Sequence, residues 1–277
     1  MQVVRTLAQL RSACASLRQL YGSVCLVPTM GALHAGHSAL IRAAVQSGGA
    51  VVASIFVNPL QFGPNEDLLR YPRDESGDLN RLEEAGCHLA WLPDVATMYP
   101  PGDATTVNVN GPGENWEGAA RPGHFRGVAT VCAKLFGQVR PDRAYFGEKD
   151  WQQFQVVRRM VADLLLPLEI VGIETVREPD GLAMSSRNRF LSAAERAVAP
   201  RLHATMQSVA KVLAAGGPAA EVLAAAQRDL THFGFAVDYF ALVDGPTLHP
   251  LPSARSAARL IAAAKLGSVR LIDNIAV

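Results

Sequence analysis

Short apolar runs alternate with amphipathic stretches along roughly the first 175 residues of the chain. "SVCLVPT" reads as a strand, and "HSALIRAAVQSGG" after it reads as a helix with Gly48 and Gly49 available as a stop. "AVVASIFVN" is apolar at nearly every position, as expected of a strand covered by helices on both faces. The same reading predicts a helix at "DESGDLNRLEEAGC" ended by Gly86, a strand at "HLAWLP", and a helix around "GVATVCAKLFGQV". A strand at "RAYFG", a helix through "WQQFQVVRRMVADL" and a strand at "LEIVGIETV" complete the series. Such alternation predicts a parallel sheet wound on both faces, a Rossmann-like doubly wound α/β fold. Ligands of these sheets bind at the carboxyl ends of the strands.

The texture changes near Val176. "DGLAMSSRNRFLS" is polar and loop-like, and two alanine-rich helical segments follow, "AAERAVAPRLHATMQSVAKVLAAGG" and "PAAEVLAAAQRDLTHFG". Strands are then expected at "FAVDYFALVD", "ARLIAAAKL" and "VRLIDNIAV". Helices and then strands predict a smaller α+β domain, giving a division into residues 1–175 and 176–277.

Composition narrows the functional classes. A 277-residue chain that is 49% hydrophobic and 18% charged builds an ordinary core. Its formal net charge of +1 creates no global field toward nucleic acid or an anionic membrane. The cysteines at 14, 25, 87 and 132 form no C-x-x-C pair, so neither a disulfide framework nor a zinc ribbon is expected. "MQVVRTLAQLRSACASL" lacks the continuous apolar core of a signal peptide, and no run reaches the roughly 18 apolar residues of a membrane span. A reducing, cytoplasmic setting is the expectation.

The candidate chemistry gathers where strands end. In "MGALHAGH", His34 and His37 stand at a strand-to-helix junction between glycines that let an anion approach the backbone. The helix N-terminus and two imidazoles suit phosphate; a metal pair or two plain surface histidines are the alternatives. No G-x-x-x-x-G-K-[ST] is present, and "NGPGENWEG" has the wrong spacing for G-x-G-x-x-G. "YFGEKDWQQF" puts Gly147, Glu148, Lys149 and Asp150 after a strand, with Asp150 placed to cap the next helix and Lys149 within reach of a phosphate. "MSSRN" offers Ser185, Ser186 and Arg187, and arginine grips phosphate in a bidentate way. Asn58 and Gln61 in "FVNPLQFG" are amides suited to reading a small substrate, and "RPGHFRGV" adds Arg121, His124 and Arg126 before a helix. Each segment alone also reads as an ordinary turn or polar loop.

In order along nearly the whole chain, "PTMGALHAGH", "FVNPLQFG", "YPRD", "RPGHFRGV", "YFGEKDWQQ" and "DGLAMSSRN" closely resemble the pantoate–β-alanine ligase (pantothenate synthetase) family. The H-x-G-H element alone is shared with the wider nucleotidylyltransferase and class I aminoacyl-tRNA synthetase superfamily. "MSSRN" is similar to that superfamily's mobile K-M-S-K-S-type loop, with Arg187 where a lysine often stands. The resemblance implies ATP- and Mg²⁺-dependent joining of (R)-pantoate to β-alanine, releasing AMP and pyrophosphate, by a homodimer. It places Met30, Gly31, Ala32, Leu33, His34, Ala35, Gly36 and His37 on ATP, with His37 as proton donor. Gly147, Glu148, Lys149, Asp150, Val176, Met184, Ser185, Ser186 and Arg187 would complete the nucleotide site. Lys149, Arg187 and both histidines would steady the departing pyrophosphate. Gln61 and Gln153 would bind pantoate, with Asn58, His124 and Arg121 nearby. Gly77 stands where some relatives have an acid, leaving Asp78 as the expected protein contact for Mg²⁺. The rivals are another H-x-G-H adenylyltransferase acting on a small metabolite and a nucleotide-binding protein without turnover.

Overall fold

The computed structural model describes residues 1–64, 66 and 68–277. The N-terminal part runs β1 (Gln2–Val4), α1 (Leu7–Tyr21), β2 (Val24–Thr29), α2 (Ala35–Gln46), β3 (Ala50–Ile55), α3 (Glu75–Glu84) and β4 (Leu89–Trp91). It continues with α4 (Val95–Met98), α5 (Glu117–Ala120), α6 (His124–Val139), β5 (Arg143–Gly147), α7 (Trp151–Asp163) and β6 (Glu169–Ile173). The six strands form one sheet in the order β1-β4-β3-β2-β5-β6, and every pairing is parallel.

Alternate residues of one strand serve opposite faces, as the pleat requires. Val24 and Leu26 of β2 pack with α6 and α7 around Val128, Leu135 and Met160, whereas Cys25 and Val27 pack with α2 and α3 around Ile41, Ala44 and Leu82. Burial on both faces explains why β2 and β3 read as unbroken apolar runs. The sheet reverses its winding between β2 and β5, which are neighbours although β3 and β4 lie between them in sequence. The crevice beyond their carboxyl ends is the switch point of the sheet, where ligands of this architecture sit.

After β6 the chain forms α8 (Ala193–Val198), α9 (Arg201–Ala214) and α10 (Ala219–His232). An antiparallel sheet of β7 (Phe235–Asp244), β8 (Ala258–Leu266) and β9 (Val269–Ala276) follows. Its core joins Leu202, Met206 and Leu230 of the helices to Phe240, Leu260 and Leu271 of the strands. A small cluster of Val243, Leu248 and Ile261 packs on Trp116 and Trp151 and links the two sheets.

Two details depart from the sequence expectation. The first alanine-rich segment is two helices, because Pro200 breaks it between α8 and α9. The elements β1, α1 and the short α4 and α5 were not predicted; Thr6 and Gln9 form a capping box at the start of α1, a signal the sequence does carry. Among the described residues no helix is long and apolar enough to cross a membrane.

Candidate active site

The turn after β2 is built to aim two imidazoles. Gly31 has φ +79° and Ala32 φ +51°, so the chain passes through left-handed backbone before α2 begins. Asp78 holds this turn from α3: its carboxylate accepts the Ala32 N–H at 2.8 Å and the Leu33 N–H at 2.7 Å. Burial pushes the Asp78 carboxyl up in pKa, against the two amide donors that pull it down. His34 is the N-cap of α2 and accepts the Gly36 N–H on Nδ1 at 3.1 Å, while His37 Nδ1 accepts the His34 N–H at 3.2 Å. The rings stand 4.2 Å apart, tilted by 47°.

A backbone N–H only donates, so each Nδ1 is an acceptor and each neutral ring carries its proton on Nε2. Burial, then the Lys149 charge, lowers His34 to about 4. Burial, then His34 and Lys149, lowers His37 to about 3. Both imidazoles are therefore neutral near pH 7 and offer Nε2–H donors.

His34 and His37 line a cavity of about 230 Å³ at the switch point. Met30 and Gly36 share that wall, whereas Gly31, Ala32 and Leu33 lie behind it and Ala35 faces solvent. Gly147, Lys149 and Asp150 enter from the end of β5, and Gln153 from α7. Val176 and Met184 close another side, with Ser185, Ser186 and Arg187 at the edge. Glu148 turns away and pairs with Arg259 of β8 at 3.4 Å. Asp150 occupies the N-cap position of α7 but makes no side-chain capping hydrogen bond, contrary to the sequence expectation, and faces the cavity instead.

The amide pocket beside it is wired from behind. Asn58, expected to touch substrate, is 1% exposed and fully engaged inside the protein. Its Nδ2 donates to Gln61 Oε1 at 2.9 Å and to the Gly127 carbonyl at 3.1 Å, and its Oδ1 accepts from the Tyr99 hydroxyl at 2.7 Å and from the Leu60 N–H at 3.3 Å. With Oε1 taken, Gln61 is left to present Nε2–H donors to the cavity that it lines. Gly127 of α6 lets the Pro59–Gln61 turn come this close, since a Cβ there would sit 2.1 Å from the Leu60 carbonyl oxygen.

Arg121 and His124 also line the cavity, yet both grip the Gln61 main chain. His124 Nδ1 donates to the Gln61 carbonyl at 2.8 Å, and Arg121 Nη2 donates to the same oxygen at 3.1 Å. Nε2 of His124 then accepts from Arg121 Nη1 at 3.2 Å, the opposite tautomer to His34 and His37. Burial, then Arg121, lowers His124 to about 4.

Asp78, the Mg²⁺ contact that the resemblance implies, is placed behind the turn. It is 3% exposed, spends an acceptor position of each oxygen on an amide, and lies behind the cavity wall. Among the described residues no cluster of three or more histidine, cysteine or carboxylate side chains could hold a metal ion.

Sequence reading missed Glu117 and its distant partner Arg270. A larger cleft of about 770 Å³ lies between the two sheets and shares Lys149, Asp150, Gln153, Ser185 and Arg187 with the smaller cavity. In its wall Glu117 of α5 takes Arg270 of β9 at 2.7 Å on both oxygens and Arg121 at 3.4 Å. Contacts between residues this far apart in sequence leave no local pattern to read.

Three neutral, half-buried imidazoles make stability sensitive to acid. An imidazole that binds protons at 6.5 when unfolded but only at 3–4 when folded draws protons to the unfolded state as pH falls. Stability is thus full above about pH 7, declines as pH falls through the unfolded value toward 4, and levels below the folded values. The expected loss is on the order of several kcal/mol by about pH 4.5, at about 1.4 kcal/mol per unit per group. Urea midpoints from pH 7.5 to 4.5 measure it, and a flat midpoint over that range would show these rings accepting protons in the fold.

The model of the Pantoate-beta-alanine ligase family matches residues 2–276 of the chain. The pantothenate synthetase of Acidiphilium cryptum is 61% identical over 278 residues, covering all of both chains. That of Granulibacter bethesdensis is 59% identical, covering 99% of this chain and 96% of its own. The crystal structure of pantothenate synthetase from Thermus thermophilus superposes with a TM-score of 0.94 at 51% identity, over 100% of this chain and 99% of that one. The Francisella tularensis pantoate-beta-alanine ligase, in complex with beta-gamma ATP and beta-alanine, does so with a TM-score of 0.83 at 30% identity, over 100% and 97%. In fold, in length and along almost every residue, this chain belongs to the pantoate-beta-alanine ligase family.

Proposed function

We propose that the chain ligates (R)-pantoate to β-alanine with ATP, through a pantoyl adenylate, releasing pyrophosphate and then AMP. Beyond family membership, one observation carries this reading. Two neutral Nε2–H donors, the Lys149 ammonium and Arg187 border one cavity with the amides of Gln61 and Gln153. Phosphate chemistry and small-acid recognition thereby share a single space.

A carboxylate is a poor acyl donor because its leaving group would be oxide. Attack of a pantoate carboxylate oxygen on the ATP α-phosphorus forms one P–O bond as the bond to the β-phosphate oxygen breaks. The step needs positioning and charge neutralisation rather than a protein nucleophile. His34 and His37, neutral in the free protein, would donate to phosphate oxygens through Nε2–H, with His37 the proton donor that the family resemblance implies. Lys149 and Arg187 supply positive charge where pyrophosphate departs. Gln61, held by Asn58, Arg121 and His124, and Gln153 orient pantoate. The neutral amine of β-alanine then attacks the adenylate carbonyl, and AMP leaves. Val176, Met184, Ser185 and Ser186 would border the nucleotide, with Gly147 and Gly36 admitting it closely. Mg²⁺ would accompany ATP and neutralise phosphate charge; Asp78, the protein contact the resemblance implies, already accepts the Ala32 and Leu33 amides.

The division at 175/176 into a catalytic domain and a smaller closing domain belongs to the same reading, supported by the separate cores of the two sheets. So does a homodimer, for which exposed Leu164 and Leu165 beside the edge strand β6 offer apolar surface. The four cysteines, unpaired and buried, fit a cytoplasmic setting.

Purified protein with ATP, Mg²⁺ and pantoate should give a single-turnover burst of pyrophosphate, and β-alanine should convert it to sustained AMP release. Pyrophosphate with no AMP on adding β-alanine would favour an adenylyltransferase of another metabolite. No pyrophosphate in either condition would remove pantoate from the assignment.

A further inference from the structure

We infer that Asn274, on β9 of the C-terminal sheet, is a positioning residue for the catalytic turn that carries Lys149. Asn274 is 4% exposed. Its Nδ2 donates to the Glu148 carbonyl at 2.8 Å and to the Lys149 carbonyl at 2.9 Å. Both amide hydrogens thus hold two successive peptide planes, which leaves the turn little freedom to rotate. The orientation of the amide is fixed from its other end, where Oδ1 accepts from the Arg259 guanidinium, a group that only donates.

Arg259 completes the grip. Its guanidinium lies 3.4 Å from the Trp151 ring centroid and pairs with the Glu148 carboxylate at 3.4 Å. Residues on both sides of Lys149 are therefore clamped by β8 and β9. Among the described residues, no carboxylate lies within ion-pair distance of the Lys149 ammonium, which points to the cavity. Asn274 is itself anchored: its N–H donates to Asp273 Oδ1 at 2.7 Å, and Asp273 takes Arg177 in a bidentate pair at 2.6 and 2.8 Å. Arg177 also donates to the Gly181 carbonyl at 3.1 Å, so the anchor runs on into the segment that leads to Ser185 and Arg187. The small sheet, in this arrangement, sets the direction of a lysine that the large sheet carries.

The inference rests on the assignment of Lys149 to adenylation, and the test separates the two. Pyrophosphate release in a single turnover is measured for the full-length protein and for Asn274→Asp, Asn274→Ala, Lys149→Ala and each double variant. Thermal midpoints are recorded for all. Asn274→Asp sets a carboxylate against two carbonyls and is expected to slow adenylation by about tenfold or more; Asn274→Ala, without added charge, by about tenfold. In the Lys149→Ala background the same changes should cost less than about twofold, because a misdirected lysine no longer matters. Equal losses in both backgrounds would make Asn274 a structural contact alone and overturn the inference, as would a folded Asn274→Ala within about twofold of the parent. Near-normal adenylation in Lys149→Ala by itself would instead overturn the lysine assignment.

Discussion

Lys149→Ala is expected to slow pyrophosphate release by about a hundred- to a thousandfold while leaving the thermal midpoint near that of the parent. The magnitude follows from losing one preorganised charge at a departing phosphate, about 3–4 kcal/mol of transition-state stabilisation. The preserved midpoint follows from the surroundings: among the described residues no carboxylate pairs with this ammonium, so its removal strands no buried partner. A second readout is internal. The Lys149 charge helps to hold His34 and His37 low, so both imidazoles should bind protons more readily in the variant, measurable by NMR titration. Near-normal adenylation would show that the charge acts elsewhere.

Gly127→Ala should damage the acid pocket and spare the nucleotide side. A methyl group there meets the Leu60 carbonyl oxygen at 2.1 Å, its carbon at 2.5 Å and the Gln61 nitrogen at 2.9 Å. These are main-chain atoms, so α6 and the Pro59–Gln61 turn must separate. The Asn58 bonds to Gly127 and Gln61 go with them. Displacing an orienting group by about 1 Å costs on the order of a hundredfold in rate. Overpacking adds about 1–3 kcal/mol of destabilisation, several degrees in thermal midpoint for a chain of this size. Calorimetry should still register ATP, because His34, His37 and Lys149 come from other turns. Unchanged pantoate-dependent turnover would show that the turn yields without displacing Gln61.

The sheet was legible in the sequence because burial on both faces writes unbroken apolar strands between amphipathic helices. His34, His37, Lys149 and Arg187 could be picked out for a related reason: each lies in a short segment just past a strand or at the change of texture. Asn58 marks the boundary of that method. An amide that lines a cavity and an amide buried behind it look the same in a sequence, and only the four hydrogen bonds around Asn58 tell them apart. For Asp78 the family resemblance implies a Mg²⁺ contact, and the structure adds that its oxygens tie down the Ala32–Leu33 backbone. Glu117, Arg270 and Asn274 were beyond reach because their meaning lies in pairings across the chain. Tautomers were equally hidden, since they depend on which ring nitrogen faces a backbone N–H.

The same distant pairings bear on how the protein is made. Asn274 meets the Glu148 carbonyl across 126 positions, and Arg270 meets Glu117 across 153. A ribosome can release the whole six-stranded sheet and let it begin to fold while these partners are still unsynthesised. Until β9 emerges and docks, the turn bearing Lys149 has no clamp and Glu117 is a buried-to-be carboxylate without its guanidinium. If the clamp inferred above holds, the turn bearing Lys149 takes its set geometry only once β9 has docked on it.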